Sequence, residues 1–344
     1  MPKVPAEVTA QQYELKATFF ANRLEGLEIV GLFEFAMSNL GKISSTLVWD
    51  NRAEFSIRED AYAQFIAAGK DPSLYFCHPN ALMANGKFLL YFRCISVLSQ
   101  KGLKTISGVS AVEKIETLQR QCTPEIALKL ARTVNTILSG MYTASLPSDE
   151  KMKGIMYATA GASIDGSWRN AIGAEGERVV RSLLLIKCLE ENELKAVTLK
   201  TGETVEAASI DAKWLDTKTA EVQSASFTNG STALFASEPD ITIVSPDGKT
   251  AAGVEIKAGL DPAGALERHG AMLKSFDKIL GTAPNAETIL IAACITEEVA
   301  SRLQATRDVS RTYILTDIIN NNGGKRDQLT TVLRGLAGLI SVRR

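Results

Sequence analysis

The sequence predicts an α/β protein, with a mixed central sheet flanked by helices in its C-terminal part and a mainly helical region before it. Three observations carry this prediction. Apolar residues recur at helical spacing through the first 148 positions, and two strand-like runs bracket a tight turn at Pro246-Asp247-Gly248. Helix-like and strand-like segments then alternate to the C-terminus, the order expected of a sheet covered by helices.

Taken in order, Gln11–Met37 reads as a helix, with Leu15, Phe19, Phe20, Leu24, Leu27 and Val30 near one stripe. Ala61–Ala68 and Val112–Gln121 read as shorter helices. Phe88–Ile95 is apolar at every position but Arg93, so it is a buried helix or a buried strand, and periodicity alone does not decide between them. Pro124–Met141 reads as a helix, since proline at the first helical position costs no hydrogen bond. Ala144-Ser145-Leu146-Pro147-Ser148-Asp149 is the best boundary signal and divides the chain into 1–148 and 149–344.

Beyond that boundary Val179, Val180, Leu183, Leu184 and Ile186 mark a strongly apolar helix. Two strands follow, Asp240–Val244 and Val254–Lys257, joined through Ser245-Pro246-Asp247-Gly248-Lys249. Proline presets φ and glycine tolerates φ > 0, which suits a reversal of the chain. Leu266–Leu280 is a helix ended by Gly281, Thr288–Ile295 a strand, and Glu297–Arg307 a helix. Arg311–Ile318 reads as a strand and Asp327–Leu339 as a closing helix.

Composition excludes several classes. Hydrophobic residues at 45% and charged residues at 22% are ordinary for a globular chain of this size. No apolar run approaches the span of a membrane helix and no secretory signal is evident, so the expectation is a cytoplasmic protein with no membrane partner. The five cysteines include no C-x-x-C pair and read as reduced and buried. Two histidines cannot build a multi-histidine zinc centre, and His78, in a Cys-His-Pro loop, reads as structural. No glycine fingerprint follows a strand, which argues against a nucleotide site. A net charge of −1 is compatible with nucleic acid only if positive charge gathers on one face. Candidates for such a face are Arg169, Arg178 and Arg181, then Arg268, Lys274 and Lys278, then Lys325, Arg326, Arg343 and Arg344.

The chemistry lies in the hairpin. Strand side chains alternate faces, so Glu255 and Lys257 share one side while Ile256 takes the other. Across the turn, Asp240 lies beside Glu255. Mg²⁺ takes oxygen ligands, commonly one or two carboxylates completed by waters and phosphate oxygens. Asp240 and Glu255 supply those carboxylates, and the Ile256 carbonyl offers a third oxygen. Lys257 then stands within reach of a bound water, to orient or deprotonate it and to offset developing charge. The bland alternative for these three residues is a solvated cross-strand ion pair. Glu14-Leu15-Lys16 and Glu193-Leu194-Lys195 carry the same Glu-x-Lys spacing in weaker contexts. Asp211-Ala212-Lys213 is a more serious rival, yet it lacks a Pro-Asp pair one hairpin upstream.

The passage Ser237-Glu238-Pro239-Asp240 through Val254-Glu255-Ile256-Lys257 resembles the PD-(D/E)XK nucleases, whose best-known members are type II restriction endonucleases. The resemblance extends upstream to Arg169–Val180, where a Gly-x-x-x-Glu pattern falls on Gly173 and Glu177. It implies a restriction-endonuclease-like core in which Glu177 joins Asp240, Glu255 and Ile256 around the metal. Glu175 and Glu267 are neighbouring acids that offer the same help, and Glu177 is equally readable as a solvated acid. Length and layout further resemble the XcyI-type enzymes that cut CCCGGG, without an additional motif.

The resemblance implies Mg²⁺-dependent, sequence-specific hydrolysis of double-stranded DNA to 5′-phosphate ends. It also implies a homodimer or higher even-numbered assembly and a companion DNA methyltransferase. Arg268, His269, Lys274 and Arg169 are the candidate DNA contacts, and the region 1–148 the candidate for recognition or dimerisation. A junction-resolvase-like repair nuclease and a non-catalytic DNA-binding protein are the alternatives. Discrete fragments, structure-specific cutting and no cutting would separate the three.

Overall fold

The computed structural model describes residues 6–26, 29–259, 264–306 and 308–340. Leu27, Arg307, Arg343 and Arg344, on which expectations were placed, lie outside them. Among the described residues there are fourteen α-helices and one eight-stranded sheet, the mixed α/β class the sequence predicts. The chain divides into two compact units, Glu14–Trp168 and the part from Arg169 onward, to which the residues before Glu14 also belong.

The first unit is helical. Its opening segment is two helices where the sequence predicts one, Ala6–Gly26 and Leu32–Ile43. Gly31, at φ 85, stands as N-cap of the second and breaks the run, so that Leu32, Phe33, Ala36 and Leu40 become buried. Lys87–Ile95 resolves the helix-or-strand ambiguity as a helix, with Phe88 to Ile95 all buried. Arg93 is tolerated there because its guanidinium meets Glu116 and donates to the Leu98 carbonyl. The helix Val112–Glu116 stops short of the predicted Gln121, and Leu118 beyond it has φ 59. Pro124–Ala144 begins at its proline, as expected, with the Thr123 hydroxyl capping the Ile126 N–H. His78 is structural, as the sequence suggests. Its Nδ1 accepts from the Asn80 N–H and its Nε2 lies 3.0 Å from the Val48 carbonyl, which requires the proton on Nε2.

The second unit carries the sheet. The helix Asp149–Glu190 runs across the division between the units at Trp168/Arg169, which lies beyond the division at Ser148 expected from sequence, and its C-terminal residues Val180, Leu184, Leu185 and Cys188 pack on the sheet. The strands are β1 (Leu194–Leu199), β2 (Thr204–Glu206), β3 (Val222–Phe227), β4 (Thr232–Leu234), β5 (Ile241–Val244), β6 (Thr250–Lys257), β7 (Glu287–Ala292) and β8 (Arg311–Ile314). Their order is β2-β1-β3-β4-β5-β6-β7-β8, antiparallel as far as β6 and parallel from β6 through β8. The helices Ala265–Thr282 and Glu297–Ala305 make the two crossovers that parallel pairing requires. Strand β7 is buried on both faces: Ile289 and Ile291 enter the core under Val180 and Leu184, while Leu290 and Ala292 face Met272 and Phe276.

Two readings are corrected here. The predicted strand Arg311–Ile318 is a strand only to Ile314, then a helix, Leu315–Ile319. Leu315 and Ile318, three apart, bury from one helical face, so the apolar run served a helix as well as a strand. The rival Asp211 is an N-cap, not a strand residue: its Oδ1 accepts from the Trp214 N–H at 2.6 Å, opening the helix Ala212–Lys218. Cys77, Cys94, Cys122 and Cys188 are free and buried, while Cys294 is free and half-buried. No helix among the described residues is long and apolar enough to cross a membrane.

Candidate active site

The hairpin between β5 and β6 closes through Ser245–Lys249, with Gly248 at φ 79 and the Ser245 N–H donating to the Lys249 carbonyl at 2.9 Å. Register follows from that turn. Ile241 pairs with Val254, which leaves Asp240, just ahead of β5, opposite Glu255. Asp240 is 4% exposed and Glu255 1%. The Ile256 N–H donates to Asp240 Oδ2 at 2.6 Å, and Lys257 Nζ forms an ion pair with Glu255 Oε2. Asp240, Glu255, Ile256 and Lys257 are therefore gathered at one place.

The electrostatics are those of two acids short of positive charge. Burial, then the Glu255 carboxylate, pushes the Asp240 carboxyl up to about 7. The Ile256 N–H and Lys257 oppose the rise, and Glu177 adds to it. Glu255 Oε1 is buried with no hydrogen-bond partner among the described residues. A buried carboxylate oxygen with no donor is costly, and the residue types are the hard oxygen donors that Mg²⁺ takes. No group of three or more His, Cys, Asp or Glu side chains among the described residues is placed to hold a metal. Two carboxylates meet the modest protein-ligand demand of Mg²⁺, so the donor set fits the ion.

Glu177 stands one step back. Its Oε2 accepts from Arg181 Nη2 at 2.7 Å, and the same nitrogen donates to the main-chain carbonyls of Ala236 and Asp240, each at 3.2 Å. Glu177 thus reaches Asp240 through Arg181. Glu175 is turned elsewhere, paired with Arg178, which also bonds Asp216. Glu267 is exposed on the helix Ala265–Thr282. The glycine that matters on the long helix is Gly176, not Gly173: a Cβ on Gly176 would lie 2.4 Å from the Ala258 Cβ, while Gly173 has open space. That close approach brings Glu177 to the end of β6.

The candidate DNA contacts fall in different settings. The Arg268 guanidinium packs on Gly259, where an added Cβ would meet its Nη1 at 3.2 Å, so Arg268 lies beside the end of β6. His269 is buried, against the expectation of an open contact with phosphate or base. Burial, with the charge of Arg302, lowers its pKa. It lines a small pocket with Lys257, Arg268, Met272 and Cys294. Lys274 and Arg169 are exposed. Sequence reasoning named Arg181 only as surface charge. Its spacing of four from Glu177 was the available signal.

The mixed sheet, its flanking helices and the helical region before it define the restriction-endonuclease-like class of fold, with an acid pair and a lysine at the end of the central hairpin. The chain belongs to the XcyI restriction endonuclease family, whose pattern matches residues 50–340. No match is found among the curated proteins. Membership makes the protein a type II site-specific deoxyribonuclease, a hydrolase acting on DNA. Of the readings open from sequence, it supports restriction over repair or passive binding.

Proposed function

We propose that this endonuclease cleaves double-stranded DNA with Mg²⁺ held by Asp240, Glu255 and the Ile256 carbonyl, while Glu177 acts one step back through Arg181. The observation that carries the reading is the buried Asp240–Glu255 pair, with one carboxylate oxygen unpartnered and the Asp240 carboxyl raised to about 7. A bound divalent cation would polarise the scissile phosphate and acidify a water. Lys257 does the remaining work on that water. Its ammonium is fixed by Glu255 on the same strand face, where it orients the attacking oxygen and offsets charge on the phosphate. The Ile256 N–H holds Asp240 in place at the strand end.

In this reading the products carry 5′-phosphate and 3′-hydroxyl ends, and the target is a short palindrome. The enzyme works as a homodimer or higher even-numbered assembly, because a palindrome presents one scissile bond per strand. It acts in the bacterial cytoplasm, where a companion methyltransferase protects the host DNA. The region 1–148 recognises the duplex or joins the protomers. Arg268, beside the strand end, and exposed Lys274 and Arg169 are the proposed phosphate contacts.

Incubation with phage DNA and Mg²⁺, followed by sequencing of the fragment ends, tests the proposal. Discrete fragments whose ends share one short sequence support it. A smear, or cutting confined to branched DNA, refutes it. Asp240→Ala and Lys257→Ala are expected to abolish cleavage and retain DNA binding, and full activity in either removes the site assignment.

A further inference from the structure

We infer that Arg181 is the positioning residue of this metal site, a clasp that fixes where Asp240 stands. The inference rests on the reading of Asp240 and Glu255 as the cation's carboxylates. Asp240 ends the segment Phe235–Asp240 that joins β4 to β5. Its carboxylate is tied to β6 through the Ile256 N–H, but its main chain needs a separate anchor. Arg181 provides one, because its Nη2 donates to the carbonyl of Ala236, near the start of that segment, and of Asp240 at its end. Its guanidinium also stands 5.3 Å over the Phe235 ring, at the point where the segment leaves β4. One side chain therefore holds the start, the end and the ring beside the loop.

The same nitrogen donates to Glu177, one helical turn earlier on a helix packed against the sheet. Helix and loop are coupled through one nitrogen with two N–H groups and three acceptors. Arg181 is 6% exposed, and its Nε–H is buried with no acceptor among the described residues. A side chain free to choose would satisfy that donor. Its orientation is set instead by the three oxygens on Nη2. A planar guanidinium can lie over a ring while its edge bonds carbonyls; a lysine ammonium keeps the charge without the flat edge. No contact links Arg181 to the Glu255 or Lys257 side chains among the hydrogen bonds described, so it acts through Asp240 and Glu177.

Calorimetric titration with Ca²⁺ tests this without turnover, on the full chain, for Arg181→Lys, Arg181→Met and Asp240→Asn. Loss of a residue that holds a metal ligand in place is expected to weaken Ca²⁺ binding by about 10- to 100-fold. The Mg²⁺ concentration giving half-maximal cleavage should rise by a similar factor. Arg181→Lys should regain at saturating Mg²⁺ a rate within about threefold of the parent, since the ligands themselves are intact. DNA binding in EDTA should be unchanged. Ca²⁺ affinity within about twofold of the parent in Arg181→Lys overturns the inference, and this variant decides if Arg181→Met does not fold. Parent-like Ca²⁺ binding by Asp240→Asn overturns the metal-site reading itself, a result distinguishable from failure of the Arg181 variants alone.

Discussion

Replacing Asp240 with asparagine should stabilise the metal-free enzyme at alkaline pH, although it removes a proposed catalytic residue. The folded chain holds the Asp240 proton up to about 7, against an ordinary value of 3.8. Between those values the folded state binds more protons than the unfolded state, so stability falls as pH rises through that window. The size follows from 7 − 3.8 = 3.2, which at about 1.4 kcal/mol per decade amounts to about 4 kcal/mol. Asparagine is neutral throughout, and its carbonyl can still accept the Ile256 N–H that Asp240 accepts at 2.6 Å. Its amide gains no assured acceptor, which offsets part of the benefit by about 1–2 kcal/mol. The stability of Asp240→Asn minus that of the parent should therefore be small or negative near about pH 4 and should rise by about 2–4 kcal/mol by about pH 8. Urea denaturation of both proteins in EDTA across that range measures the change, with titration of other groups common to both. A difference that stays flat with pH would refute the argument that these two carboxylates repel one another in a buried place.

The same carboxyl should make cation binding pH-dependent. Because a proton and the cation compete for Asp240, Ca²⁺ affinity measured by calorimetry should fall by up to about tenfold per pH unit below about 7 and level off above it; affinity independent of pH would count against Asp240 as a ligand. Lys257→Ala should lower the cleavage rate by about 10²- to 10⁴-fold while Ca²⁺-supported DNA binding, followed by fluorescence anisotropy, holds within about threefold. Gly176→Ala should destabilise by about 1–3 kcal/mol, since its Cβ would lie 2.4 Å from that of Ala258. Gly173→Ala, in open space on the same helix, should stabilise by about 0.5–1 kcal/mol, and thermal melting of the pair reads both signs. In the helical unit, Arg93→Ala should cost about 3–5 kcal/mol by leaving Glu116 buried and alone, and Arg93→Met with Glu116→Leu should cost less, as denaturant titration will show.

How much of this was legible in the sequence depends on the kind of signal. The hairpin was legible because Pro246-Asp247-Gly248 is a local turn signal and because acids in an apolar strand are chemically out of place. Strands β1 to β4 were not. Leu194–Leu199 lies next to a long helix, Val222–Phe227 carries the small residues Ser224, Ala225 and Ser226 at its centre, and β2 and β4 have three residues each. Such segments gain their strand character from neighbours in the sheet, which a local reading does not see. Proximity in space was equally hidden for Arg181, whose Asp240 partner lies 59 positions away. Gly176 shows the same limit, because its partner Ala258 lies on another element and nothing nearby in the chain announces it.

The placement of the acids has a topological cause. Strand β6 is antiparallel to β5 on one side and parallel to β7 on the other. The end where β6 finishes is therefore where β5 begins and where β7 also finishes. An acid ahead of β5 and an acid-x-lysine at the end of β6 must meet at that edge, provided the hairpin keeps its register. A slip of one residue would turn Glu255 and Lys257 to the face occupied by Val254 and Ile256 and seat both charges in the apolar core with Val197, Ile243 and Ile289. The buried alternation Val254, Ile256 against Glu255, Lys257 thus fixes register through the core while it builds the site. The core holds the strand because two isoleucines and a valine cannot face water together. The same constraint forces two carboxylates and a lysine to share the opposite side, where a cation and a phosphate are the partners their charges call for.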